Sequence, residues 1–104
     1  MKHIKIEKTL ITEDKVKFQG DKEKLLDYKD LLEIAMDVLP QGGFTPKDIR
    51  ERNRLQDAFD KAKDKTIIDI EDADYEALVK IVNASRWTLR DKDLHTFLQI
   101  FAKE

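Results

Sequence analysis

Residues 44–63 read FTPKDIRERNRLQDAFDKAK, and this stretch carries both the start signal and the buried face of one helix. The Thr45 hydroxyl can accept from an orphan N–H of the first turn. Pro46 falls at the first helical position, where its missing N–H is harmless. Asp48 follows Thr45 by three residues, the spacing of a reciprocal cap, and its charge suits the positive end of the helix dipole. Leu55, Phe59 and Ala62 recur at helical spacing, with Ile49 and Ala58 at the margins of the stripe. At about 100° per residue Arg52 projects onto that same stripe. Its stem is therefore expected along the core, with its head in water or on a carboxylate. Arg50 and Arg54 lie together on the outer face, near Asp57 and Lys61.

Upstream, residues 28–39 place Tyr28, Leu32, Ala35 and Leu39 at three- and four-residue steps, widened by Leu31, Ile34 and Val38. That pattern, which Leu25 opens, predicts a core helix within 22–39; Asp21 or Asp27 could each cap it, and the main helix is expected from about residue 28 after a looser lead-in. Pro40 ends it, because proline disfavours helix in the residue before it. Gln41-Gly42-Gly43 reads as a tight reversal into the Thr45 helix. Nothing there has the lysine and hydroxyl spacing of a phosphate-binding loop.

The N-terminal residues alternate. Ile4, Ile6 and Leu10 fall on one side and His3, Lys5, Glu7 and Thr9 on the other. A strand over 3–11 is expected, and Val16 and Phe18 predict a second over 15–19, the two forming a β-hairpin closed by Gly20-Asp21. The β-branched run 66–70, Thr-Ile-Ile-Asp-Ile, reads as a third strand pairing with that hairpin. Asp72 is expected to cap the next helix, whose buried face is Tyr75, Leu78, Val79 and Val82. Residues 83–86 end it, and Trp87 and Leu89 plug the corner. Thr88 or Asp91 then caps a last helix with Leu94, Phe97, Leu98 and Phe101 inward. Phe59 and Leu98 are expected in one core with Arg52 at its polar margin. The order ββααβαα predicts an α+β domain over 1–104, an N-terminal hairpin plus a third short strand on a cluster of about four helices.

Composition narrows the function classes. The chain has 104 residues, 40% apolar and 40% charged, with a net charge of −2, which is one domain's length with a modest core and a heavily charged surface. A protein that lives by phosphate contacts needs a concentrated basic face, and here acidic residues are interleaved throughout. There is no Cys, which removes disulfide and thiolate chemistry. MKHIKIEK has no apolar h-region and no run reaches the roughly 20 residues of a membrane span, so a cytoplasmic protein without membrane contact is expected.

No constellation of residues in the sequence makes a chemical site. His3 and His95 fall on different elements, with no Cys to join them in a metal site. The acidic run Asp69, Glu71, Asp72, Asp74 and Glu76 lacks the loop glycine and the twelfth-position glutamate of a calcium loop. Ser85 has no surrounding motif that would expose a nucleophile. The chain is therefore expected to be non-enzymatic and to need no cofactor. The alternative is a small nucleic-acid-binding regulator using the Arg50, Arg52 and Arg54 helix as the second helix of a helix-turn-helix. Pro46 and Asp48 stand where base-reading residues would sit, and the turn is long for that motif.

Three stretches, RNRLQDAFDKAK, IIDIEDADYEALVKIVNA and DLHTFLQIFAKE, resemble small proteins of tailed bacteriophages and prophages. Those share an Arg-Leu-x-Asp-Ala helix, an acidic Glu-Asp-Ala-Asp-Tyr turn opening the next helix and a short apolar C-terminal helix. The resemblance covers about residues 50–101. It implies a virion-associated, assembly or host-interaction role in the host cytoplasm or the virion, and no catalytic residue. The expected partner is a protein (the chain itself, a virion protein or a host protein), with no small-molecule substrate. The expected binding residues are Arg50, Arg54 and Lys61, since arginine is favoured at interface centres.

Overall fold

The computed structural model describes residues 1–17, 19–38, 42–85, 87 and 90–101. Its longest helix among the described residues is the one that residues 44–63 specify. The Thr45 hydroxyl accepts from the Asp48 N–H at 3.1 Å, and the Asp48 carboxylate accepts from the Thr45 N–H at 2.9 Å. This helix, Pro46–Lys61, buries Leu55 and Phe59 completely. The preceding helix, Tyr28–Asp37, is closed by the same device. Asp27 and Asp30 exchange side-chain and backbone bonds at 2.8 and 3.0 Å. Between the two, Gly42 and Gly43 adopt φ of +83° and +87°, a left-handed reversal that side chains resist.

In chain order the elements are β1 (Lys2–Lys5), β2 (Lys8–Thr12), α1 (Glu13–Val16), β3 (Leu25–Asp27), α2 (Tyr28–Asp37), α3 (Pro46–Lys61), β4 (Ile67–Ile70), α4 (Asp72–Ala84) and α5 (Lys92–Ile100). The fold is α+β, with two separate two-stranded antiparallel sheets, β1–β4 and β2–β3. The hairpin expected from 3–11 and 15–19 does not form. The strand over 3–11 breaks at Ile6 and Glu7: Ile6 donates to the Thr66 carbonyl on one side, and the Glu7 carbonyl accepts from Tyr28 on the other. The break shifts the alternation by one residue. Ile4 is buried in β1, but Thr9 and Ile11 are the buried residues of β2 and Leu10 is 77% exposed, opposite to the expected facing.

Residues 15 and 16 lie in the short helix α1 rather than in a strand. The Thr12 hydroxyl donates to Asp14 at 2.6 Å and the Glu13 carbonyl accepts from Lys17, so the chain curls where continued extension was expected. Gly20 packs against that curl; a Cβ there would meet the Glu13 backbone at 2.7 Å. Residues 25–27, expected as a helix lead-in, pair with β2, which puts Leu25 at 53% exposure. The expected strand at 66–70 does pair with the N-terminus, as β4, in the register Lys2↔Ile70 to Lys5↔Ile67.

A single apolar cluster draws on every element except α1, including Ile4, Ile11, Leu26, Leu32, Phe59, Ile68 and Leu78. Its aromatic centre is Phe97, edge-on to Tyr28 at 5.2 Å and beside Phe101 at 5.4 Å. Phe59 is fully buried, and Leu98 packs against the cluster at the margin of an α5 stripe centred on Leu94, Phe97 and Phe101. Trp87 stands edge-on to Phe97 at 6.2 Å, as the corner plug requires. Asp72 does not cap α4. Glu71 holds the N-cap position without a side-chain bond, and Asp72 opens the helix with its carboxylate 3.0 Å from the Met1 amino group. Asp91 caps α5 by accepting from the Asp93 N–H at 2.8 Å. The expectations for Phe18, Leu39, Pro40, Thr88 and Leu89 lie outside the described residues.

Candidate functional site: a charged groove beside β4

The outer face of α3 places Arg54, Asp57, Ala58 and Lys61 along one side, as the helical repeat dictates. That side runs next to β4, and a groove of about 390 Å³ lies between them. Its helix wall carries Arg54, Asp57 and Lys61 above Ala58 and Ala62; its strand wall carries Ile67, Asp69 and Glu71, with Asp74 of α4 at one end. The small Ala58 and Ala62 side chains leave the floor low.

Charges of both signs line the groove. Arg54 and Lys61 share the α3 wall with Asp57, Lys65 lies in the connection between α3 and β4, and Asp69, Glu71 and Asp74 line the β4 and α4 side. One ion pair spans the groove: Arg54 Nε donates to Asp74 Oδ1 at 2.9 Å. The Asp69 carboxylate accepts from His3 Nδ1 at 2.5 Å across the β1–β4 pair. Lys61, Lys65, Asp57 and Glu71 form no ion pair with another described residue. Ile67 is 45% exposed on the same wall.

The three arginines of the expected basic patch part company. Arg50 is exposed on the outer face and does not line the groove. Arg54 leans onto Asp74. Arg52 turns inward: its Nε donates to the Met36 carbonyl at 3.0 Å, and its guanidinium lies 4.8 Å from the Phe44 ring centroid. A carboxylate was one of its expected partners, and Asp48 pairs with it one turn back, at a long 4.0 Å. Of the expected binding residues, the fold thus brings Arg54 and Lys61 together and leaves Arg50 apart. The sequence marks the β4 wall only by Ile67 standing between the charged Lys65 and Glu71, and its exposure follows from the fold.

Elsewhere, His95 meets Gln99 at 3.2 Å on α5, far along the chain from the His3–Asp69 pair. Among the described residues, no group of three or more His, Cys, Asp or Glu is arranged to hold a metal ion. The carboxyl of Asp27 is raised above its ordinary range by burial, with the Asp30 charge adding to it. The Tyr28 hydroxyl is raised by burial and by the neighbouring Glu7 carboxylate. Both belong to the junction of β2, β3 and α2 rather than to the groove. Among the described residues no helix is long and apolar enough to cross a membrane.

Comparison with protein-family models, with curated proteins and with solved structures gave no match.

Proposed function

We propose that this chain is a non-enzymatic protein-interaction or assembly module, of the kind that tailed phages and prophages carry as virion-associated, assembly or host-interaction proteins. The observation that carries the reading is the groove beside β4. Charges of both signs along its walls, an exposed isoleucine and a low alanine floor are features of a surface made for a polypeptide, where rim charges select the partner and an apolar contact anchors it. The resemblance of residues 50–101 to small phage proteins supports the same reading. The dispersal of Arg50, Arg52 and Arg54 over three environments weakens the nucleic-acid alternative, which needs them on one face.

The test is affinity capture from a lysate of the producing cell, with nuclease treatment as one arm. The wild-type chain should retain a protein that survives nuclease and is lost when Arg54 and Lys61 are both changed to Glu. Retention that depends on nucleic acid, or capture unaffected by the double reversal, contradicts the reading.

A further inference from the structure

The wall of the groove formed by β4 is a bare sheet edge. Ile6 donates to the Thr66 carbonyl at 2.8 Å, in the same register that pairs Ile4 with Ile68 and Lys2 with Ile70. Hydrogen-bonded and non-bonded pairs alternate along an antiparallel ladder. The bonds to β1 therefore belong to Thr66, Ile68 and Ile70, and the N–H and C=O groups of Ile67 and Asp69 point away from β1. No hydrogen bond from another described residue engages those outward groups. The outer edge of β2 is treated differently: the Leu10 N–H donates to the Asp93 carboxylate of α5 at 2.8 Å. An unpaired, unprotected edge is a template for another strand.

The geometry points to a second copy of this chain as the occupant, with β4 pairing antiparallel to β4 across a two-fold axis at Ile68. The inference rests on the interaction-module reading and specifies its partner. The extended segment sets the register. Residues 66–70 are in the ladder with β1, and Glu71 continues extended at φ −60°, ψ 148°. Of the pairings that match outward groups to outward groups, only the one centred on Ile68 overlaps residues 66–70 completely with themselves. Ile67 of each copy then exchanges its backbone bonds with Asp69 of the other. One step further out, Lys65 of each copy stands opposite Glu71 of the other. These are two of the groove's charges that lack an ion pair among the described residues. The charge pattern is thus self-complementary, as an isologous interface requires, and directly opposed unlike charges favour the pairing where like charges oppose it. All four side chains are exposed, and the alternation of β4 sets Ile67 and Asp69 on the face opposite the buried Ile68 and Ile70.

Sedimentation equilibrium and light scattering over a concentration series test this on the full chain. The wild type should pass from its 12.2 kDa monomer to a dimer. Ile67→Pro removes an outward N–H and no bond of the β1–β4 ladder, so circular dichroism should stay native while the dimer is lost. Lys65→Glu and Glu71→Lys should each weaken dimerisation by roughly tenfold, and the two together should restore it, since the exchanged charges face each other again. A wild-type chain monomeric up to about 1 mM overturns the inference, because even weak association shows at that concentration. So does a dimer indifferent to Ile67→Pro, or one that the double exchange fails to restore. A monomeric chain that still captures a protein through Arg54 and Lys61 would leave the interaction-module reading standing and sink only the self-pairing.

Discussion

Arg52 of α3 donates from Nε to the carbonyl oxygen of Met36, 3.0 Å away in the last turn of α2. The last carbonyls of a helix have no partner within it, and the last turn of α2 holds no basic residue of its own. Arg52 supplies the missing donor from the neighbouring helix, with Phe44 stacked on its guanidinium. Arg52→Ala should therefore lower stability by about 1–3 kcal/mol, the range for losing a charged donor to a half-buried acceptor. Arg52→Lys should recover only part of this, because an ammonium cannot both stack and donate in the same plane. Urea unfolding of the two variants measures both numbers.

Phe59 lies fully buried at the middle of the α3 stripe. Phe59→Ala should cost about 3–5 kcal/mol through lost transfer energy and the cavity left behind. A value near zero in the same urea experiment would place this face of α3 outside the core.

The reversed facing of β2 makes a sharp contrast between neighbours. Leu10, 77% exposed, should tolerate Leu10→Thr within about 0.5 kcal/mol. Ile11, with no exposed surface, should lose about 2–5 kcal/mol as Ile11→Ala. Equal costs would restore the uninterrupted strand over 3–11.

Much of the helical half of the fold was legible because its signals are local. Thr45, Pro46 and Asp48 sit within one turn of each other, and so do Asp27 and Asp30. The strands were less legible because their partners are distant. Whether β1 pairs with residues 15–19 or with β4 depends on loop closure across more than sixty residues, which no short window encodes. The phase shift between Ile4 and Ile11 arises from tertiary hydrogen bonds at Ile6 and Glu7, not from their side chains. Arg54 and Lys61 could be placed together by helical periodicity alone. The β4 wall opposite them could not, because it follows from β4 being an edge, and that follows from the missing hairpin.

Two capping carboxylates give opposite pH dependences. The Thr45 backbone and side-chain bonds hold the Asp48 carboxyl below its usual range. A depressed folded pKa adds stability above the unfolded value, 3.8, and that contribution is lost as pH falls through the folded value. Asp48→Asn should therefore flatten the acid limb below about pH 4. Asp27 is raised, chiefly by burial, so its ionisation opposes folding as pH rises through the folded value. Asn retains the capping oxygen, and Asp27→Asn should gain stability relative to wild type as pH rises from about 4 toward 7. Thermal melts of wild type and both variants across that range separate the two signs.

The central claim is that β4 presents an open edge through which the chain meets a partner strand. Amide hydrogen exchange read residue by residue tests it most directly. In dilute solution the Ile68 and Ile70 amides, bonded to β1, should be protected while those of Ile67 and Asp69 exchange freely. Raising the protein concentration should bring Ile67 and Asp69 into protection. Equal protection of all four in dilute solution would mean that the edge is already covered. Free exchange at Ile67 and Asp69 at every concentration would mean that no second copy pairs there, and either result contradicts the account.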